Sequence, residues 1–361
     1  MPGLQDFMTY IKARRPLWHT AEAVRRGHIT IAFVGGSITE PAGGRRWSDK
    51  VADWFVARYP GLTVDVENAA KGATGSLSAI LYVDDSVIPC KPDLVLVETA
   101  VNDGENAWGA CREGVIRKLL AGCECDIVLT YTYAQTMYPA FLEGKLPPSI
   151  MDWEEIAAHY GISSVFMSNY TFDLVNAGFL KWEEWLPDGL HPEHAGSRLY
   201  AEPVCALLER EIETAEKEAY TVPAPLHADH WGAAYRFPLE KIERRGAWRM
   251  VRERRLPTVE HILFTASVNA TLFLTFEGRG FRLRRIDNLF HAAYRYRVDG
   301  GDWVERNDPL PAWAENVNDW VREEAPVVGL DAGTHTLEIC PIFAVNGRGT
   351  TFELTDIAVI R

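Results

Sequence analysis

The sequence predicts an α/β sandwich built on a parallel sheet, followed by a smaller all-β sandwich. Three observations carry this prediction. Residues 29–215 alternate short apolar runs with amphipathic stretches, as strands buried on both faces alternate with crossover helices. After Glu218 the texture changes to short alternating runs separated by turn signals. With 361 residues the chain also exceeds what one core commonly holds, so two domains are expected.

The first five apolar runs are Ile29–Val34, Leu62–Val66, Leu94–Glu98, Ile127–Tyr131 and Ser163–Met167. Each is short enough for a strand and apolar on both faces. Between them, Trp47, Val51, Trp54 and Phe55 recur at helical spacing, as do Val115, Leu119 and Leu120. Leu146-Pro-Pro-Ser breaks the chain before a helix through Trp153, Ile156 and Ala157. Thr221-Val-Pro-Ala-Pro reads as a linker, which divides the chain into residues 1–220 and 222–361. Beyond it come strands at Ile262–Ala266, Thr271–Phe276, Tyr294–Val298, Thr336–Ile339 and Phe352–Val359. Glu277-Gly-Arg-Gly and Asp299-Gly-Gly-Asp supply turns.

Composition narrows the function classes. Hydrophobic residues make up 47% and charged residues 24%, values of a soluble globular protein rather than a disordered or collagen-like one. The net charge is −13, nearly all of it in residues 1–220, and no long Lys/Arg run offsets it. Such a chain is ill suited to nucleic acid or to an anionic membrane surface, because both are held by clustered basic groups. A membrane-spanning run is absent from the sequence, and Met1–Thr20 lacks the apolar segment of a secretory signal. Six cysteines are few for this length, and Cys123 and Cys125 stand too close for a relaxed disulfide; reduced thiols in a cytoplasmic protein are the expectation. Small neutral substrates fit this chain best, and homo-oligomers remain open.

Four segments carry chemistry. In Ile31-Ala-Phe-Val-Gly-Gly-Ser37-Ile-Thr, a buried strand runs through a glycine turn into a serine at the carboxyl edge of the sheet. In Pro187-Asp188-Gly-Leu-His191-Pro, a carboxylate and an imidazole three residues apart can hydrogen-bond, leaving the second ring nitrogen to take a serine proton. Asn102, at the end of the third strand, can donate its amide to an oxyanion. The turn at Gly72, Ala73 and Gly75 offers backbone amides at the same edge. His194 lies past Pro192, inside the next helix, and reads as a cap or surface residue. Taken singly each segment is an ordinary loop or cap; four at one sheet edge are hard to dismiss.

Gly35-Gly36-Ser37-Ile-Thr, the Gly72 loop, Val101-Asn102-Asp103 and Asp188-Gly-Leu-His191-Pro resemble the four blocks of the SGNH (GDSL-type) hydrolase superfamily, in the family's order, over roughly residues 29–205. The first block departs from the name-giving motif in having Gly36 in place of Asp. The resemblance implies a three-layer α/β/α sandwich and two-step ester hydrolysis through an acyl-serine, with no metal and no organic cofactor. It implies Ser37 as nucleophile, His191 as general base and acid, and Asp188 as its orienting carboxylate. The oxyanion hole would comprise the Ser37 and Gly72 amides and Asn102, with Ala73 an alternative donor to Gly72.

Substrate class follows from aromatics and from the second domain. Trp108, Tyr131, Tyr133, Gln135 and Tyr138 follow catalytic strands, and Trp182 and Trp185 precede Asp188. Aromatic faces beside polar groups suit sugar rings. An SGNH domain joined to a sandwich similar to carbohydrate-binding modules resembles the acetyl esterases that trim plant-polysaccharide fragments. The segment Trp313-Ala-Glu-Asn-Val-Asn-Asp-Trp320 brackets carboxylates and amides with two aromatics, as the rim of a sugar site would. The expectation is a cytoplasmic carbohydrate O-acetyl esterase acting on acetylated oligosaccharides. A general short-chain or aryl esterase is the second reading, and a non-catalytic sugar-binding protein on an esterase scaffold the third.

Overall fold

The computed structural model describes residues 7–104, 108–252, 259–310, 319–344 and 349–361, and it divides into two compact units, Met1–Gly232 and Ala233–Arg361. In the first, a short edge strand β1 (Ile11–Lys12) and helix α1 (Trp18–Arg25) precede the five predicted strands. These are β2 (His28–Gly35), β3 (Thr63–Asn68), β4 (Leu94–Glu98), β5 (Asp126–Thr130) and β6 (Ser163–Val165). They run parallel in the order β6-β5-β4-β2-β3, with β1 antiparallel on β6.

Side-chain alternation builds the layers. Ile29, Ile31, Phe33, Leu94, Leu96, Val128 and Val165 share one buried cluster with Trp47, Val51 and Phe55 of α2 (Trp47–Arg58). Tyr170 and Phe172 of α8 (Met167–Asn176) and Val204, Leu207 and Leu208 of α10 (His194–Thr214) complete it. The alternate residues Val34, Val95, Val97, Ile127 and Leu129 are as thoroughly buried on the opposite face. On that side α3 (Ser76–Tyr82), α5 (Gly109–Gly122) and α7 (Pro148–Tyr160) pack on one another. The result is the three-layer sandwich. Because β2 lies between β3 and β4, strand order reverses there, and in open parallel sheets that crevice at the carboxyl ends is where ligands bind.

The first unit continues past residue 220. The Arg117 guanidinium donates to the Pro223 carbonyl at 3.2 Å, and just beyond it the Leu226 and His227 amides donate to the Glu113 carboxylate, each at 2.7 Å, so the stretch expected as a linker is fastened to α5 and the division falls at Gly232. No helix among the described residues is long and apolar enough to cross a membrane.

The second unit is an antiparallel sandwich. One sheet orders β15 (Trp320–Val327), β12 (Gly280–Asp287), β17 (Phe352–Ile360), β10 (His261–Thr265) and β9 (Arg249–Arg252), with β7 (Tyr235–Phe237) also on β17. The other orders β14 (Val304–Arg306), β13 (Ala293–Val298), β16 (Gly333–Ile342), β11 (Thr271–Gly278) and β8 (Glu243–Arg245). Leu283, Leu354 and Ile357 from the first meet Leu274, Tyr294 and Leu337 from the second in one core. A turn at Asp299-Gly300 follows β13, closed by the Gly301 amide on the Val298 carbonyl at 2.9 Å, with both residues at positive φ (52° and 67°). Strand β12 was not expected. Its run Phe281-Arg-Leu-Arg-Arg-Ile-Asp287 is buried throughout, and Arg282, Arg284 and Arg285 are there because Asp356, Glu323 and Glu324 pair with them.

Candidate active site

The chain leaves β2 through Gly35 and Gly36 because side chains do not fit there. A Cβ on Gly35 would stand 2.7 Å from the Glu98 carbonyl oxygen, and one on Gly36 would stand 1.9 Å from Asn102 Oδ1. The Thr39 and Glu40 amides then both donate to the Gly36 carbonyl, at 3.0 and 2.9 Å, closing a single helical turn with Ser37 in its first part. Ser37 is half-buried, and its Oγ lies 2.7 Å from His191 Nε2.

His191 arrives from the loop before α10. Asp188 Oδ2 holds His191 Nδ1 at 2.7 Å, while Oδ1 accepts from the Leu190 and His191 amides at 2.9 and 2.6 Å. The tight return is made by Gly189 at φ +79°, a conformation that favours glycine. Partial burial pushes the Asp188 carboxyl up, but the two amides and the imidazole outweigh it, and the net pKa falls to about 2. Asp188 is therefore ionised across the physiological range. With the Nδ1 proton held by that carboxylate, Nε2 is the nitrogen that faces the serine.

Asn102, exposed just beyond β4, lies alongside this turn, as the clash at Gly36 records. Its neighbour Asp103 is buried and fixes the loop: Oδ1 accepts from the Ser76 amide and hydroxyl at 2.7 and 2.8 Å, and Oδ2 from Thr99 Oγ1, Arg112 Nε and Trp153 Nε1 at 3.0–3.1 Å. One carboxylate thus ties the Asn102 loop to the start of α3, just beyond the glycine turn. That turn, Lys71 to Thr74, is closed by the Thr74 amide on the Lys71 carbonyl at 3.2 Å, with Ala73 at φ +57°. Gly72 is half-buried and Ala73 exposed, and both amides remain candidates for the oxyanion.

A cavity of about 290 Å³ opens beside the imidazole, lined by Ala42, Arg45, Arg46, Pro187, Asp188 and Pro192 among others. A larger apolar groove of about 790 Å³, lined by Tyr10, Tyr170, Leu174, Phe179 and Leu199 among others, has none of Ser37, Asp188 or His191 in its wall.

The structure brings Ser37, Asp188, His191, Asn102 and the Gly72 turn to one sheet edge. It leaves His194 exposed at the first position of α10. The aromatic expectation is corrected in part. Trp185 is 0% exposed, with ring centroids 4.9 Å from Tyr133 and 5.2 Å from Trp182, so it is core under the Asp188 loop and cannot face a sugar. Tyr131 and Tyr133 are buried as well. Trp182 is half-buried, 5.9 Å from Tyr138. Trp313 lies outside the described residues; Trp320 opens β15 in the second unit, with the Arg322 guanidinium 4.7 Å over its ring. Sequence reasoning missed Glu98, Asp103 and Arg112, the buried charges beneath the site.

This fold and this edge define a class. Residues 33–199 match the GDSL-like lipase/acylhydrolase family, so the first unit carries a domain of that family of carboxylic ester hydrolases. The whole chain is also similar in structure to a two-domain esterase active on acetylated mannans. Against that crystal structure the TM-score is 0.85 at 21% identity, covering 98% of this chain and 98% of the other. Against the same kind of esterase crystallised with mannopentaose it is 0.84 at 20% identity, covering 98% and 97%. At that identity the likeness is one of fold, and it extends over both units. No curated protein matches the chain in sequence.

Proposed function

We propose that the protein is a serine esterase that removes O-acetyl groups from plant-polysaccharide-derived oligosaccharides. The observation that carries the reading is the unbroken line from Ser37 Oγ through His191 to Asp188, 2.7 Å at each step. Ser37 Oγ attacks the acetyl carbonyl as its proton passes to His191 Nε2. The tetrahedral oxyanion sits among the Ser37 and Gly72 amides and the Asn102 side chain. His191 returns the proton to the departing sugar oxygen as the C–O bond breaks, leaving acetyl-Ser37. Water, deprotonated by His191, then releases acetate and restores the serine. Asp188 holds the imidazole tautomer and stabilises its protonated form. No step calls for a metal or cofactor.

The large apolar groove is walled by residues other than Ser37, Asp188 and His191, which speaks against a long acyl chain seated there. A carbohydrate leaving group is supported by the two-domain fold, which a mannan-active esterase shares. A cytoplasmic setting, in which the substrate would be imported oligosaccharides, is supported by the sparse cysteines. The test is acetate release from acetylated manno- and xylo-oligosaccharides beside p-nitrophenyl acetate, with Ser37→Ala as the blank. Higher kcat/KM on an oligosaccharide is the expected result. Turnover of p-nitrophenyl acetate alone would make this a general short-chain esterase, and binding without any turnover a sugar-binding protein.

A further inference from the structure

Beneath the serine turn lies a carboxyl group that acyl transfer does not use. Glu98 ends β4 in register with Gly35 of β2 and is 1% exposed. Its Oε2 accepts from Thr39 Oγ1 at 2.9 Å and its Oε1 from Thr132 Oγ1 at 2.7 Å. The Gly36 amide donates to the same carboxyl. Thr39 Oγ1 in turn accepts from Trp47 Nε1 at 3.0 Å, so the threonine hydroxyl is held in one orientation. Two hydroxyls and an amide surround Glu98 rather than a cation. Burial therefore dominates over these hydrogen bonds, and the carboxyl is pushed up to about 7. A buried acid is costly where a leucine would fill the space, and here every contact it makes toward β2 lands on the serine turn.

We propose that Glu98 is a positioning residue for acyl transfer, gripping the nucleophile turn at both ends, through the Gly36 amide ahead of Ser37 and the Thr39 hydroxyl behind it. The proposal rests on Ser37 being the nucleophile. Gly36 and Thr39 bracket that residue, so the acid decides where Oγ stands relative to His191 Nε2 and Asn102. Errors of an ångström in such placement cost on the order of 10²-fold in rate.

The test uses the full chain with p-nitrophenyl acetate, recording kcat, KM and melting temperature. Glu98→Leu fills the volume but leaves the Gly36 amide and Thr39 hydroxyl without their acceptor; kcat should fall about 30–100-fold with KM changed less than about threefold. Glu98→Gln keeps an acceptor toward the turn, and its amide can donate to Thr132, whose hydroxyl accepts as well as donates; kcat should return to within about threefold of the parent. A merely structural acid would lower stability without this split. If Glu98→Leu does not fold, Thr39→Val and Thr132→Val decide between the readings. The first breaks the grip and should lower kcat about tenfold; the second touches the far oxygen and should keep kcat within about twofold. Equal kcat loss in those two, a folded Glu98→Leu at full kcat, or a loss confined to KM overturns the proposal. Turnover surviving in Ser37→Ala sinks instead the nucleophile assignment, a result that no pattern among the Glu98 variants imitates.

Discussion

Two carboxylate–imidazole pairs, one from each unit, share nearly the same inner geometry. Asp188 Oδ2 lies 2.7 Å from His191 Nδ1, and Asp299 Oδ2 lies 2.6 Å from His335 Nδ1. They differ at the second ring nitrogen. His191 Nε2 faces the Ser37 hydroxyl, whereas His335 Nε2 lies 2.8 Å from the Asp331 carbonyl oxygen. A carbonyl only accepts, so both His335 nitrogens face acceptors and its protonated form is favoured; its pKa is raised, first by Asp299 and then by Asp331. A hydroxyl can donate, so His191 keeps a lone pair aimed at the proton it is to take. The same pair is a clip in one unit and a base in the other, and the group opposite Nε2 makes the difference.

The largest effects separate the two pairs. Ser37→Ala should lower kcat by at least about 10⁴-fold, measured as acetate release, because only binding and the oxyanion donors remain. Asp188→Asn should cost about 10²–10⁴ in kcat. Its side chain is 54% exposed, and water can take over part of its work, which favours the lower part of that range. Asp299→Asn, made in the other pair, should leave kcat unchanged. A comparable loss there would show that the two pairs are not functionally distinct.

Next come the oxyanion donors. Asn102→Ala should reduce kcat by roughly 10²–10³ with a smaller change in KM. Gly36→Ala should do nearly as much without touching Asn102 in sequence, because the new methyl would occupy the place of Asn102 Oδ1, 1.9 Å away. A Gly36→Ala protein at full activity would mean that Asn102 is not held where it is needed. The pH profile sharpens the comparison further. With Asp188 held at about 2, its carboxylate should put no acid limb of its own into kcat/KM near pH 4. Asp188 itself stabilises the fold above about pH 4 and that contribution is lost only as pH falls through about 2. A second acid limb near pH 4 would contradict this ordering.

How much of this was legible in the sequence depends on how far each feature reaches. Four of the five parallel strands were legible because apolar runs report burial on both faces, whereas β3, expected to be buried likewise, is an edge strand with no buried residue; the reactive groups were legible because strand ends, glycine turns and the Asp188–His191 spacing are local. The supports were not. Glu98 looks like the polar end of a strand until Thr132 arrives to meet it. Asp103 has its meaning through Arg112 and Trp153, whose placement is tertiary. Strand β12 was hidden for the same reason, its arginines reading as exposed until Asp356 and Glu324 pair with them. Trp185 failed in the opposite direction: placed before a catalytic turn it reads as a platform, yet its ring closes the core beneath that turn.

The smallest expected effect tests whether the second pair is only a clip. Because folding raises the His335 pKa, the folded state binds a proton that the unfolded chain holds less tightly. The stabilisation is therefore fully present below about pH 6.5 and is lost as pH rises through the folded value. Asp299 is half exposed, which keeps the contribution within the range of surface ion pairs. His335→Gln should thus lower the melting temperature by about 2 °C at pH 6 and by less at pH 9. Its kcat on p-nitrophenyl acetate should match the parent at both. A melting difference that grew toward high pH would reverse the sign of the linkage, and the Asp331 carbonyl would no longer explain why this imidazole, so like His191 on one side, holds its proton.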